Sequence, residues 1–215
     1  FLSDKNINFF YEDIHLSLYL IIIILIFLIF FSFDNNFSYI LLSLISSISN
    51  IGISLESEQT KLNFIYLMLV IVGGSFFSTS SGVRFLKIYS LTKFSLNQIL
   101  SFSKPKNIFM NKLIFSKINF TFDEISKYFL TIIIFVISLF ILTSLLTLGN
   151  IDFAISFKLA ILTLMNTVNS SIYGLNSFDF NNLNFITKYS LIFFMIIGRV
   201  ELISLLLIAK KFLFK

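Results

Sequence analysis

Apolar and polar positions in this chain are sorted into long blocks, not into the short periods of a soluble helix or strand. Residues 15–33 are nineteen positions without a formal charge apart from any on His15. At ~1.5 Å per residue they predict one helix across a hydrocarbon core of ~30 Å. Residues 37–49 are also apolar but too short to cross, which predicts a re-entrant or interfacial helix. A longer apolar stretch, 62–92, is interrupted in its middle. A second uncharged span is expected at 129–148, a second short apolar helix at 153–165 (charged only at Lys158), and a last span at 189–209. The order span, half-span, span therefore occurs twice. Setting Gly52 against Asn169, an offset of 117 residues, brings Leu42 onto Leu159, Ile45 onto Leu162 and Ser46 onto Thr163. Identities are few, but the pattern of apolar half-helix followed by a small polar tetrad recurs. The expected fold is an all-α polytopic membrane protein with two span–pore-helix–span repeats.

The interruption in 62–92 is Gly73-Gly74-Ser75-Phe76-Phe77-Ser78-Thr79-Ser80-Ser81-Gly82, in which eight of ten residues are Gly, Ser or Thr. Neither helix propensity nor side-chain bulk holds a helix there. Non-helical backbone at membrane depth is tolerated only where protein walls it in or where it lines a water-filled cavity. A broken helix of this kind points to a permeation or binding site. The plainer alternative is a small-residue packing face on a continuous helix, and a solid block of small residues fits that less well.

Composition agrees with a membrane setting: 57% of the 215 residues are hydrophobic, 13% are charged, and the mean hydropathy is +0.94. Thirty phenylalanines, with heavy use of Ile, Asn and Lys, read as AT-rich coding before function. Without cysteine there is no disulfide or thiolate chemistry. The chain starts at Phe1 without a charged n-region or cleavage site, so it reads as a fragment lacking an upstream part. Charge is asymmetric. Residues 93–127 carry Lys93, Lys104, Lys106, Lys112, Lys117 and Lys127 against Asp123 and Glu124, and the C-terminus carries Lys210, Lys211 and Lys215. Lysine-dominated segments at span ends mark the cytoplasmic side, which places 1–14, 93–127 and the C-terminus inside. A nucleic-acid-binding arm is disfavoured, because these lysines are spread among Phe and Ile between spans. No paired carboxylates, nucleophile–base set or metal cluster is present, so no enzyme is expected, and no cofactor. His15 lacks a second His or Cys, and the Gly73–Gly82 block lacks the lysine of a phosphate-binding loop.

The pattern permits cation chemistry. A half-helix entering from outside aims its carbonyl end, the negative pole of its dipole, at the membrane centre. Extended chain beyond it offers oxygens in place of a cation's hydration shell. The candidate ion-binding residues are Ser49, Asn50, Ile51 and Gly52 in the first repeat and Asn166, Thr167, Val168 and Asn169 in the second. Gly52 suits the role because glycine takes positive φ without penalty, although a lone Gly after a short helix also fits a simple turn. Arg199 lies within an apolar run, where it costs ~2.5–3.5 kcal/mol on insertion scales. Glu201, two positions on, does not share its helix face. The oxygens of the Gly73–Gly82 block are its candidate partners, and a structural inter-helix salt bridge is the alternative.

These residues resemble the Trk/Ktr/HKT superfamily of potassium transporters, in particular its bacterial TrkH-type pore subunits. The block from Gly73 to Gly82 is similar to the family's GGS-x-x-ST-x-GG intramembrane loop, and Gly198-Arg199-Val200-Glu201-Leu202 to the GRLE(I/L) motif of the last helix. Asn166-Thr167-Val168 resembles the N-N-V of the fourth filter, and Ser49-Asn50-Ile51-Gly52 stands where the third has T-T-T-G. The resemblance covers essentially the whole chain, as the C-terminal two of four pore repeats. It implies a pseudo-fourfold pore passing K⁺ as the transported ion in the inner membrane of a bacterium, with filters at 49–54 and 166–170. It further implies a gate formed by Gly73, Gly74, Ser75, Ser78, Thr79, Ser80, Ser81 and Gly82 with Arg199, a homodimer, and a cytoplasmic nucleotide-binding regulatory subunit as partner. The corresponding divisions are a cytoplasmic segment at 1–14, repeat three at 15–92, a basic cytoplasmic loop at 93–127 and repeat four at 128–215. Two positions depart from the family pattern. Asn169 replaces a filter glycine, which bears on K⁺ over Na⁺ selectivity, and Ser80-Ser81 replaces one loop glycine, which bears on gate stiffness. The competing readings are a hydrophobic subunit of a respiratory complex, against which the lack of a relay series of intramembrane charges counts, and a non-transporting remnant.

Overall fold

Uncharged aliphatic runs become helices in a membrane because hydrocarbon offers their N–H and C=O groups no partner but each other. The computed structural model describes residues 5–31, 37–53, 62–73, 83–102, 122–167, 171–175 and 178–199. Among these, the helices are α1 (Lys5–Phe31), α2 (Phe37–Ile48), α3 (Asn63–Ile71), α4 (Phe85–Ser101), α5 (Phe122–Leu148), α6 (Phe153–Met165) and α7 (Phe185–Arg199). Two are long and apolar enough to cross a membrane, over Ile14–Phe31 and Asp123–Leu148. The half-spans expected from sequence are α2 and α6. α1 and α5 begin before their apolar runs, and α5 opens with Asp123 and Glu124 in its first turn, where acids complement the helix dipole.

α5 shows how one sequence serves two apolar environments. Thr131, Phe135, Ser138, Leu139, Leu142, Thr143 and Leu146 recur every three or four positions on its buried face. Phe129, Ile133, Val136, Ile137, Phe140 and Ile141 face outward. The inner face carries buried hydroxyls beside its apolar groups. Thr131, Ser138 and Thr143 donate to the carbonyls of Lys127, Phe135 and Leu139 at 2.8–2.9 Å, so small polar groups pack without stranding a donor. α7 buries Thr187, Leu191, Phe194 and Ile197 in the same rhythm and exposes Ile186, Tyr189, Ile192, Phe193 and Ile196. α1 lies at the edge: only 6% of its apolar window is buried, against 39% for α5.

α6 is the centre of the core. Every residue from Leu159 to Met165 is buried, as is Ser156. It packs against α5 and α7 of its own repeat and against α3 of the other. A helix apolar on all sides and buried on all sides is what this sequence predicts for a core element. α2 packs on α1 and α3, and the Tyr66 hydroxyl donates to the Ile40 carbonyl at 3.5 Å.

The long stretch at 62–92 is broken. α3 ends at Ile71 and α4 starts at Phe85; between them Val72–Gly73 and Val83–Arg84 pair as a two-residue parallel ladder, Val72 on Val83 and Gly73 on Arg84. Val72–Gly73 and Val83–Arg84 therefore run side by side in the same direction. Apart from this pairing and two single 3-10 turns at Ser171–Tyr173 and Phe180–Asn182, the described structure is α-helix joined by turns.

Candidate functional site

Both half-helices stop in the same way. After α2, Asn50 takes φ +55°; after α6, Asn166 takes φ +52°. The Asn50 N–H donates to the Ser47 carbonyl at 3.3 Å and the Ile51 N–H to the Ser46 carbonyl at 3.1 Å. The second repeat copies this pair, Asn166 to Thr163 at 3.2 Å and Thr167 to Leu162 at 3.0 Å. This is a Schellman stop with asparagine in the left-handed position, which asparagine tolerates better than most residues because its short amide bonds locally. The stops set the repeat offset at 116, from Asn50 to Asn166, one residue less than the 117 read from the sequence. Gly52 thus matches Val168 by helix stop. In the first repeat a second left-handed residue stands two positions on, Gly52 with φ +77°.

Of the candidate ion-binding residues, the structure describes Ser49, Asn50, Ile51, Gly52, Asn166 and Thr167. Val168 and Asn169 lie outside the described residues. Ser49 is exposed and donates to the Ile45 carbonyl at 2.8 Å; Gly52 is buried and Ile51 exposed. Two hydroxyl oxygens at the helix ends, Ser46 Oγ and Thr167 Oγ1, are buried and have no hydrogen-bond partner among the described residues. A buried hydroxyl without a partner is costly and calls for a reason. Each stop also borders a cavity. One of about 190 Å³ lies beside Ile48 and Ser49 and is lined further by Tyr19, Leu69 and Val72. Another of about 360 Å³, open on one side, lies beside Thr163, Asn166 and Thr167 and is lined further by Leu159, Leu162 and Met195.

Of the candidate gate, Gly73 is in the parallel pair and Arg199 is the exposed last residue of α7. Gly74, Ser75, Ser78, Thr79, Ser80, Ser81 and Gly82 lie outside the described residues. What holds Arg199 relative to the second stop is its neighbour, Gly198. A methyl built there would run into the backbone carbonyl of Leu164, at the end of α6. Only glycine lets the two backbones meet so closely. One turn earlier, Asn166 Nδ2 donates to the Met195 carbonyl at 3.0 Å. α7 is thereby fixed to the end of α6 at two points.

Sequence reasoning took Gly198 as part of a motif and missed this contact, which no local pattern reports. It also missed that Asn50 and Asn166 are equivalent, although both close an apolar half-span and the signal lay in the residues.

Helices, half-helices with matched stops, and a broken helix together define an all-α polytopic membrane protein of two span–half-span–span repeats. Among solved structures, the chain is similar to the crystal structure of the potassium transporter TrkH from Vibrio parahaemolyticus. The TM-score is 0.70 at 18% identity, over 95% of this chain and 44% of that chain. At this identity the likeness is one of fold, and the chain spans less than half the length of that transporter. No protein family and no curated protein matches the chain.

Proposed function

We propose that this chain forms the C-terminal half of the pore of a Trk-type potassium uptake protein in the cytoplasmic membrane of a bacterium. The observation that carries the reading is the twice-built half-helix. Each ends in a left-handed asparagine stop that borders a cavity, and near each end lies a buried hydroxyl with no hydrogen-bond partner among the described residues. A helix that stops there points its carbonyl pole at whatever occupies the space beyond, and lone oxygen pairs serve a cation stripped of water. In this reading Ser49–Gly52 and Asn166–Asn169 contribute two of four filter segments, and the basic segment 93–127 faces the cytoplasm.

The break between α3 and α4 supports a gate beneath the filter, made by residues 73–82 and opposed by Arg199. Gly198 sets the position of that arginine against α6. Entry is driven by a membrane potential worth ~2.3 kcal/mol per charge per 100 mV. A homodimer and a cytoplasmic nucleotide-binding regulator complete the assembly we propose.

The test is K⁺ and Na⁺ uptake by the full-length parent in a bacterium stripped of its own potassium importers, with the regulator supplied. The expected result is K⁺-dependent growth that becomes leaky with Arg199→Ala. A well-inserted parent that moves neither ion would overturn the reading in favour of a non-transporting remnant.

A further inference from the structure

The one charged residue of α6 is Lys158, and the fold brings it to the seam between the repeats. It is half-buried on a helix whose following residues, Leu159 to Met165, are all buried. A methyl built on Gly174 would stand 3.2 Å from Lys158 Nζ and 2.5 Å from Asn63 Nδ2. Gly174 is exposed, takes φ +68°, and closes the turn Ser171–Tyr173, which packs on α3. Asn63 is the first residue of α3. The ammonium therefore sits where the chain has come back from both helix stops, repeat three at Asn63 and repeat four at Gly174. Helix side chains lean toward the helix N-terminus, so the lysine stem points away from the Asn166 stop and toward this seam. Lys158 makes no hydrogen bond or ion pair with any described residue.

A lysine here is a poor core residue and does not neutralise a described acid. We propose that Lys158 is a fixed positive charge at the outer mouth of the pore, which sets the affinity for entering monovalent cations and disfavours divalent ones. The inference rests on the cation-pore reading and on the sidedness that places Gly174 and Asn63 outside. A fixed charge beside an entry lowers the local concentration of like-charged ions, and lowers it more steeply for a divalent than for a monovalent cation. The lack of a Cβ at Gly174 leaves the room in which the ammonium is seated.

The experiment is Rb⁺ uptake by the full-length parent at low ionic strength, against external K⁺ and external Mg²⁺, for wild type, Lys158→Gln and Lys158→Arg. Lys158→Gln is expected to lower the half-saturating cation concentration on the order of 3- to 30-fold with little change in maximal rate. It should also let Mg²⁺ inhibit at a lower concentration, while Lys158→Arg stays near wild type. A Lys158→Gln protein with unchanged half-saturation and unchanged Mg²⁺ inhibition overturns the proposal and leaves the pore reading standing. Wild type that moves no cation defeats the pore reading itself. Should Lys158→Gln fail to insert, the wild type's response to inert salt decides. Screening the lysine must lower half-saturation toward a plateau, and a flat or opposite response overturns the proposal.

Discussion

α2 and α6 are the same device built in two surroundings. Both are short, apolar and closed by a left-handed asparagine, yet α6 is buried along its whole second half while α2 leaves Tyr39 and Ile45 exposed. The cause is the supply of neighbours. α6 receives α5 and α7 from its own repeat and α3 from the preceding one; α2 has α1 and α3. The first repeat thus lends α3 to the half-helix of the second, whereas among the described residues α2 packs chiefly on α1 and α3. A half-helix is held less by its own sequence than by the spans around it, as expected where lipid is as apolar as the side chains and packing drives association.

The largest way to test that contrast is to remove equal amounts of side chain from both elements. Leu164 is fully buried in α6, whereas Ile45 of α2 is 48% exposed. Leu164→Ala should destabilise the full-length protein by about 2–5 kcal/mol through the cavity it opens. Ile45→Ala should cost under about 1 kcal/mol. Reversible denaturation in mixed micelles reads both, and equal losses would show that α2 is covered as well as α6 in the assembled protein.

A smaller effect reads the tie between the second stop and α7. Asn166→Gly gains relief of positive φ worth about a few tenths of a kcal/mol but forfeits the bond from Nδ2 to the Met195 carbonyl, for a net loss of about 1 kcal/mol. The same denaturation assay checks the sign, and a neutral or stabilising change would show that this bond does not hold α7 to the stop.

The elements were legible because hydrocarbon makes their patterns coarse. The half-span read at 153–165 is α6 to the residue, since Asp152 and Asn166 close it on either side. The break within 62–92 was legible from Gly and Ser content alone. The contacts that tie the elements together were not. Gly198 meets Leu164, and Gly149 would meet Thr187, across distances in sequence that no window spans. The parallel pairing of Val72–Gly73 with Val83–Arg84 was equally hidden, because it closes around the break and not within a periodic run. The repeat offset was off by one because few identities anchor it, whereas the two backbone stops fix it.

In the proposed pore, two matched half-helix stops hold oxygens for a cation. The most direct measurement is the reversal potential of the full-length parent in proteoliposomes under opposed K⁺ and Na⁺ gradients, with its regulator present. The expected result is a current whose reversal potential tracks the cation gradients and vanishes when both are abolished. A folded, inserted protein that passes no current under either gradient would contradict it.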